Sequence, residues 1–172
     1  MRPGRCYSGR NRGRQFPAMS AMDIAVSIAL GVALAAAAGL RVFLPLLVTS
    51  VASYTGHLQL SDSFEWLGTL PALITLAIAA GAETLGYYIP VVDNLLDTIT
   101  TPAALVAGTL LSAAVLTDLP PLVKWSTAVI AGGGAAGLTQ GITAMVRAKS
   151  TALTGGLGNP IVATAETGGA LV

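Results

Sequence analysis

Glu83 and Glu166 stand in the same short string, Ala82-Glu83-Thr84-Leu85-Gly86 and Ala165-Glu166-Thr167-Gly168-Gly169, each inside a run of small and apolar residues. A carboxyl group in such a run is costly in lipid and marks a functional candidate by default. Ala79, Ala80 and Gly86 share a helical face with Glu83, which aims it at a close neighbouring helix and away from lipid. In that setting it can hold and release a proton, the property a proton-coupled carrier uses, or it can pair with Arg41, the one basic residue deep in an apolar stretch. The two roles are compatible, because a pair that must break is a gate. Glu166 reads in the same way, six residues after Pro160. Asp93 and Asp97, at i and i+4, stack on one face with Thr100 and Thr101 a turn further on. Two hard oxygen ligands so placed suit a divalent cation, one carrying a phosphate group included, although the plainer reading is the wet side of an interfacial helix. The run Thr154 to Pro160, with Asn159 as its polar member, offers backbone N–H groups ahead of a helix, an anion cradle in principle.

Conventional catalytic apparatus is missing. His57 is the single histidine and Cys6 the single cysteine; there is no HExxH, no GxSxG and no cysteine beside a base. No catalytic residue, metal ligand or cofactor is assigned. An enzyme remains only as an alternative, a metal-dependent lipid-linked one built on the Asp93/Asp97 pair.

The elements that position these residues follow from composition. The 172 residues are 53% hydrophobic and 10% charged, with a mean hydropathy of +0.73, which points to an all-helical protein crossing a membrane about four to five times as one domain over residues 21–172. Residues 1–20 form a basic leader, read as disordered, that holds five of the nine basic residues (Arg2, Arg5, Arg10, Arg12, Arg14). Such a flank ahead of a first span implies a cytoplasmic N-terminus in a cell (inner) membrane and removes the need for a nucleic-acid partner. The first apolar run, Met22 to Ser53, is too long for one straight crossing and must break between Gly39 and Pro45. Tyr54 to Trp66 reads as a loop or surface-lying piece. Pro71 opens a second span that closes at Tyr87-Tyr88, whose rings suit the headgroup boundary, and Val91 to Thr101 reads as an interfacial amphipathic helix ended by Pro102. A third span covers Ala103 to about Leu116, and a fourth about Trp125 to Val146. The fourth carries Gly133, Gly137 and Gly141 at four-residue spacing, a packing face for another helix of this chain, of a second copy or of a partner protein. A fifth begins near Ile161 and is too short to cross, so it either dips in and stops or continues beyond Val172. Arg147 and Lys149 belong with the leader on the cytoplasmic side; Lys124 is the exception.

Ala35 to Leu40 and Gly133 to Leu138 match at four positions and exchange Ala for Gly at the other two, and each is followed one span later by the Ala-Glu-Thr string. With four crossings the strings would run in opposite directions, which is the mark of an inverted repeat.

AGLRVFLPLL (Ala38 to Leu47), AETLGYYIPVVDNLLDTITTPAALVAGTLL (Ala82 to Leu111) and TGGLGNPIVATAETGGALV (Thr154 to Val172) resemble the bacterial membrane-protein family known as domain of unknown function 4126. The resemblance covers nearly everything from Met22 onward and implies a small multispanning membrane protein without a named activity. The motif positions it carries over include Arg41, Pro45, Glu83, Pro90, Asp93, Asp97, Asn159, Pro160 and Glu166. Family members carry a lysine before the proline matching Pro90 and an arginine near Ala104, where this chain has Ile89 and Ala104. The functional expectation is a carrier or channel for a small solute or ion, lined by Glu83, Glu166 and Arg41, with Asp93 and Asp97 at a cytoplasmic mouth; the alternative is a non-catalytic packing module of the lipid bilayer.

Overall fold

The computed structural model describes residues 21–87, 90–117, 119–155 and 158–171, of which 90–95 and 97 by their backbone alone. The basic leader expected over residues 1–20 lies outside this set. Apolar chain in lipid must satisfy its own backbone, and helix is the local way to do so. The described chain is accordingly helical: α1 (Ala21–Leu40), α2 (Phe43–Tyr54), α3 (Leu70–Gly86), α4 (Pro90–Val115), α5 (Pro121–Thr127), α6 (Gly134–Thr154) and α7 (Asn159–Leu171). A 3-10 helix (Asp62–Gly68) precedes α3, and a π-helix (Ala128–Gly133) joins α5 to α6 in a single 34-residue rod. α1, the Thr98–Val115 part of α4 and the rod are each long and apolar enough to cross a membrane. The 3-10 piece and α3, bent by 69° at their junction, add a broken fourth candidate. The multispanning helical bundle read from composition is what the chain adopts.

Small residues bring three backbones together at the centre. A methyl group added to Gly108 of α4 would meet the Ala136 side chain at 2.5 Å, the Gly132 carbonyl at 3.1 Å and the Ala35 side chain at 3.3 Å. Gly31 faces Ser112 and Val115, so α1 runs against α4; Gly132 faces Ser112 while Gly137 faces Leu105, so the rod runs against α4 as well. α1 and the rod therefore run in the same direction, with Ala35 beside Gly132 and Ala136, and Gly39 beside Ala136 and Thr139. The two matching strings do pack on each other, but not in the opposite sense that four crossings require. The crossing count fails at Arg41 and Val42, where the chain turns back on itself. α2 returns along the bundle until Ser50 Oγ donates to the Leu67 carbonyl at 2.6 Å. There Leu60, Phe64 and Leu67 share a core with Ala113, Ala114, Val115 and Ala128. α1 and α2 are thus a hairpin. α3 leads back to the turn, and α7 folds against α6, which Gly155 closes at φ +62°.

Three further expectations change. The Tyr54 to Trp66 segment is no mere surface loop, because its second part joins the 3-10 helix and buries Phe64 and Leu67. Pro102 does not end a helix: α4 is continuous through it. A proline removes one hydrogen bond to the residue four earlier, and the turns on either side keep theirs in a segment that has nowhere better to place its amides. The fourth span starts earlier than Trp125 and extends well past Val146, as the rod from Pro121 to Thr154. Among the described residues, α1 starts at the same end of the bundle as α5, so Lys124 lies at the end where α1 begins and Lys149 at the other. The exception and the rule change places.

Candidate functional site

The end of α1 is where ionisable side chains converge. Arg41 comes from the α1–α2 turn, Glu83 and Tyr87 from the end of α3, Arg147 from α6 and Glu166 from α7. Arg41 is 1% exposed, Tyr87 3%, and the other three 5% each. Buried charges persist only with partners, so the partners define the site.

Glu83 has a partner the sequence did not suggest. Val42 N donates to its Oε1 at 2.7 Å and Phe43 N to its Oε2 at 3.0 Å. These amides open α2 and have no intrahelical acceptor. Val42 occupies the cap position and its side chain accepts nothing, so a carboxylate from α3 does the work usually done by a local Ser or Asp. Pro45, in the first turn of α2, gives up an N–H that needs no partner there. Glu83 therefore clasps the hairpin, and the expected Glu83–Arg41 pair does not form.

Arg41 lies nearer Glu166, whose Oε2 is 4.0 Å from Nη2. Nη2 itself donates to the Ala163 carbonyl at 2.8 Å. Glu166 is engaged elsewhere: Arg147 Nε donates to its Oε1 at 3.0 Å and Arg147 Nη2 to its Oε2, a two-point fork between α6 and α7. Both guanidinium groups lie on the Tyr87 ring, with central carbons 4.0 Å (Arg41) and 4.1 Å (Arg147) from its centroid. The ring's π density attracts each cation. The Tyr87 hydroxyl donates to Thr100 Oγ1 at 3.2 Å, so this ring is buried against α4 and is not presented to lipid headgroups. Two turns lower in the rod, Gln140 Nε2 reaches Thr101 Oγ1 at 3.5 Å.

The remaining candidates divide. Asn159, at the start of α7, is clasped to Thr151 of α6, its Nδ2 donating to Oγ1 at 3.2 Å. The backbone of Asp93 and Asp97 belongs to the first turns of α4, at the cluster's end of the bundle and away from the start of α1; their side chains lie outside the described residues. The glycine cradle includes Gly156 and Leu157, which lie outside them too. Gly133 and Gly137 pack against Thr109 and Leu105 of α4, whereas Gly141 is exposed and meets open space. His57 is exposed and linked to Thr55, and no group of three metal-binding side chains occurs among the described residues.

Sequence reading missed Arg147 and Tyr87. Arg147 sits beside Ala148, Lys149 and Ser150 and looks like the start of a loop. A helix continued to Thr154 would have placed Arg147 and Glu166 on facing turns of a hairpin, which was the available signal. Beside the fork, a crevice of about 300 Å³ opens between α1, α6 and α7, lined by Leu40, Thr143, Val146, Val162, Ala165, Glu166 and Gly169. The geometry allows one carboxylate to pass between two cations: a movement of roughly 1 Å would bring Glu166 from its 4.0 Å separation to hydrogen-bond distance of Arg41.

A family model described as Domain of unknown function (DUF4126) matches residues 28–172. No curated protein and no solved structure matches the chain.

Proposed function

Since the chain belongs to that family, whose description assigns no activity, we propose from the geometry alone that it is a small multipass carrier or channel whose polar path runs through Arg41, Glu166 and Arg147. One observation carries this reading: the buried ionisable groups converge where the backbone reverses between α1 and α2. Charges inside such a bundle are costly, and irregular backbone is tolerated there only when enclosed by protein or lining a wet cavity. Glu83 is then the clasp that holds the reversal, and Glu166, set between two cations and bordering the crevice, is the group that moves. The end of the bundle carrying the start of α1 and Lys124 faces the cytoplasm of a cell (inner) membrane, since the leader's arginines and Lys124 outnumber Lys149, and Arg147 is spent inside the cluster.

A proteoliposome flux screen tests the proposal, comparing the full-length protein with Glu166→Gln and Glu83→Gln. A transported solute is expected, with its pH dependence altered by Glu166→Gln. If a solute moves and Glu166→Gln leaves both rate and pH profile unchanged, the path does not run through this carboxylate.

A further inference from the structure

Among the described residues, Arg41 is the least satisfied group. A guanidinium has five N–H donors. One on Nη2 reaches the Ala163 carbonyl, but the Nε donor and both Nη1 donors are buried with no acceptor, and among the described residues only Thr49 Oγ1 shares that condition. The nearby carboxylates are taken: Glu166 by the Arg147 fork and Glu83 by the two α2 amides. The Tyr87 face covers the plane of the guanidinium but accepts nothing from its edge. What is missing is an acceptor lying in the guanidinium plane and carrying negative charge.

We propose that the Arg41 edge binds an oxyanion, a carboxylate or phosphate group, within the cluster. These groups present two oxygens at the spacing of a guanidinium fork and compensate its charge. A cation is disfavoured by two guanidiniums on one ring, and a neutral apolar molecule would leave the donors as they are. The inference deepens the carrier reading by naming the class of solute the path would take. The same chemistry is offered by a free anion and by the phosphodiester of a lipid headgroup.

The probe is the full-length protein with ¹⁵N-labelled arginine in dodecyl maltoside, a phosphate-free detergent, with the Arg41 Nε–H resonance assigned through its loss in Arg41→Lys. Saturable movement of that resonance on adding inorganic phosphate or acetate supports a free anion. Movement on adding phosphatidylglycerol, with neither small anion effective, supports a lipid headgroup. No movement with any of the three overturns the site, leaving Arg41 to water. Equilibrium dialysis gives a second reading: Arg41→Gln should weaken binding of the effective anion about 30-fold, from the loss of charge-assisted hydrogen bonds, and Lys149→Gln, on an exposed position, should not. Equal binding by a folded Arg41→Gln also overturns the site; should that variant not fold, the titration of the unaltered protein decides. Oxyanion binding without flux would retire the carrier and keep the site, whereas flux of a solute with an unmoved Arg41 would do the reverse.

Discussion

Replacing Glu83 by glutamine should loosen the α1–α2 reversal, and the size of the effect follows from two hydrogen bonds. Val42 and Phe43 each donate a backbone N–H to one carboxylate oxygen, at 2.7 and 3.0 Å. Hydrogen bonds to a charged group contribute about 1.5–3 kcal/mol each, against about 0.5–1.5 kcal/mol for neutral pairs. Glutamine keeps one oxygen, so one bond falls to the neutral range, while its amide NH2 meets the other N–H donor to donor and that bond is lost. The favourable placement of a negative charge at the start of α2 disappears as well. Together these come to about 2–4 kcal/mol, or local opening on the order of 30-fold more frequent at the lower end. Hydrogen exchange on the purified protein reads it directly: protection at Val42 and Phe43 should fall by that factor, with little change in the Gly31 to Ala38 stretch of α1, whose contacts are with α4 and α6. Glu83→Asp, whose shorter arm keeps the charge but reaches one amide at best, should lie between. Wild-type protection of both amides in Glu83→Gln would mean that the clasp does not hold the turn, and Glu83 would return as a candidate for proton transfer.

Other consequences are open to simpler tests. Gly39→Ala and Gly141→Ala gain the same helix propensity, but the new methyl at 39 would lie 2.4 Å from the Ala136 carbonyl oxygen and the one at 141 meets nothing within 4 Å; thermal unfolding should separate the two variants by about 1–3 kcal/mol, the usual cost of overpacking. Tyr87→Phe keeps the ring and loses the buried bond to Thr100, about 0.5–1.5 kcal/mol, whereas Tyr87→Leu also loses two ring–cation contacts of about 0.5–2 kcal/mol each, so a ranking Phe above Leu in midpoint temperature is expected and the reverse would discount the ring. For orientation, Lys124→Cys and Lys149→Cys in a Cys6→Ser background should react with an impermeant thiol reagent from opposite faces of sealed vesicles, since both lie on the rod from Pro121 to Thr154; labelling from one face would contradict a crossing by the rod.

Much of the fold was legible because its causes are local. Apolar length located α1, α3 and the later part of α4, Pro71 marked the start of α3, and the Gly39 to Pro45 stretch marked the break. What stayed hidden depends on distant partners. Whether a break is a bend or a reversal is decided by what receives the freed amides, here a carboxylate on α3. Pro102 reads as a stop when only its missing N–H is counted, and as a tolerated defect once the flanking turns are. Of the site, Arg41, Glu83 and Glu166 were visible as charges in apolar runs, but their pairing was not: spacing along the chain cannot say that Glu166 belongs to Arg147, or that Tyr87 faces two guanidiniums rather than the headgroups.

That pairing bears on how the two Ala-Glu-Thr strings should be understood. Their helices, α3 and α7, do run in opposite directions, since α3 leads up to the α1–α2 turn and α7 leads down past it from Asn159. Yet the carboxylates are not equivalent. Glu83 spends both oxygens on backbone amides that cannot move without unravelling α2, and is fixed by the covalent chain it caps. Glu166 spends its oxygens on a side chain, with a second cation 4.0 Å away, so exchanging one partner for the other costs no backbone bond. A shared sequence string thus yields one structural carboxylate and one exchangeable carboxylate. The difference lies in what stands opposite each of them: an open helix end facing Glu83, and two arginines on one aromatic ring facing Glu166.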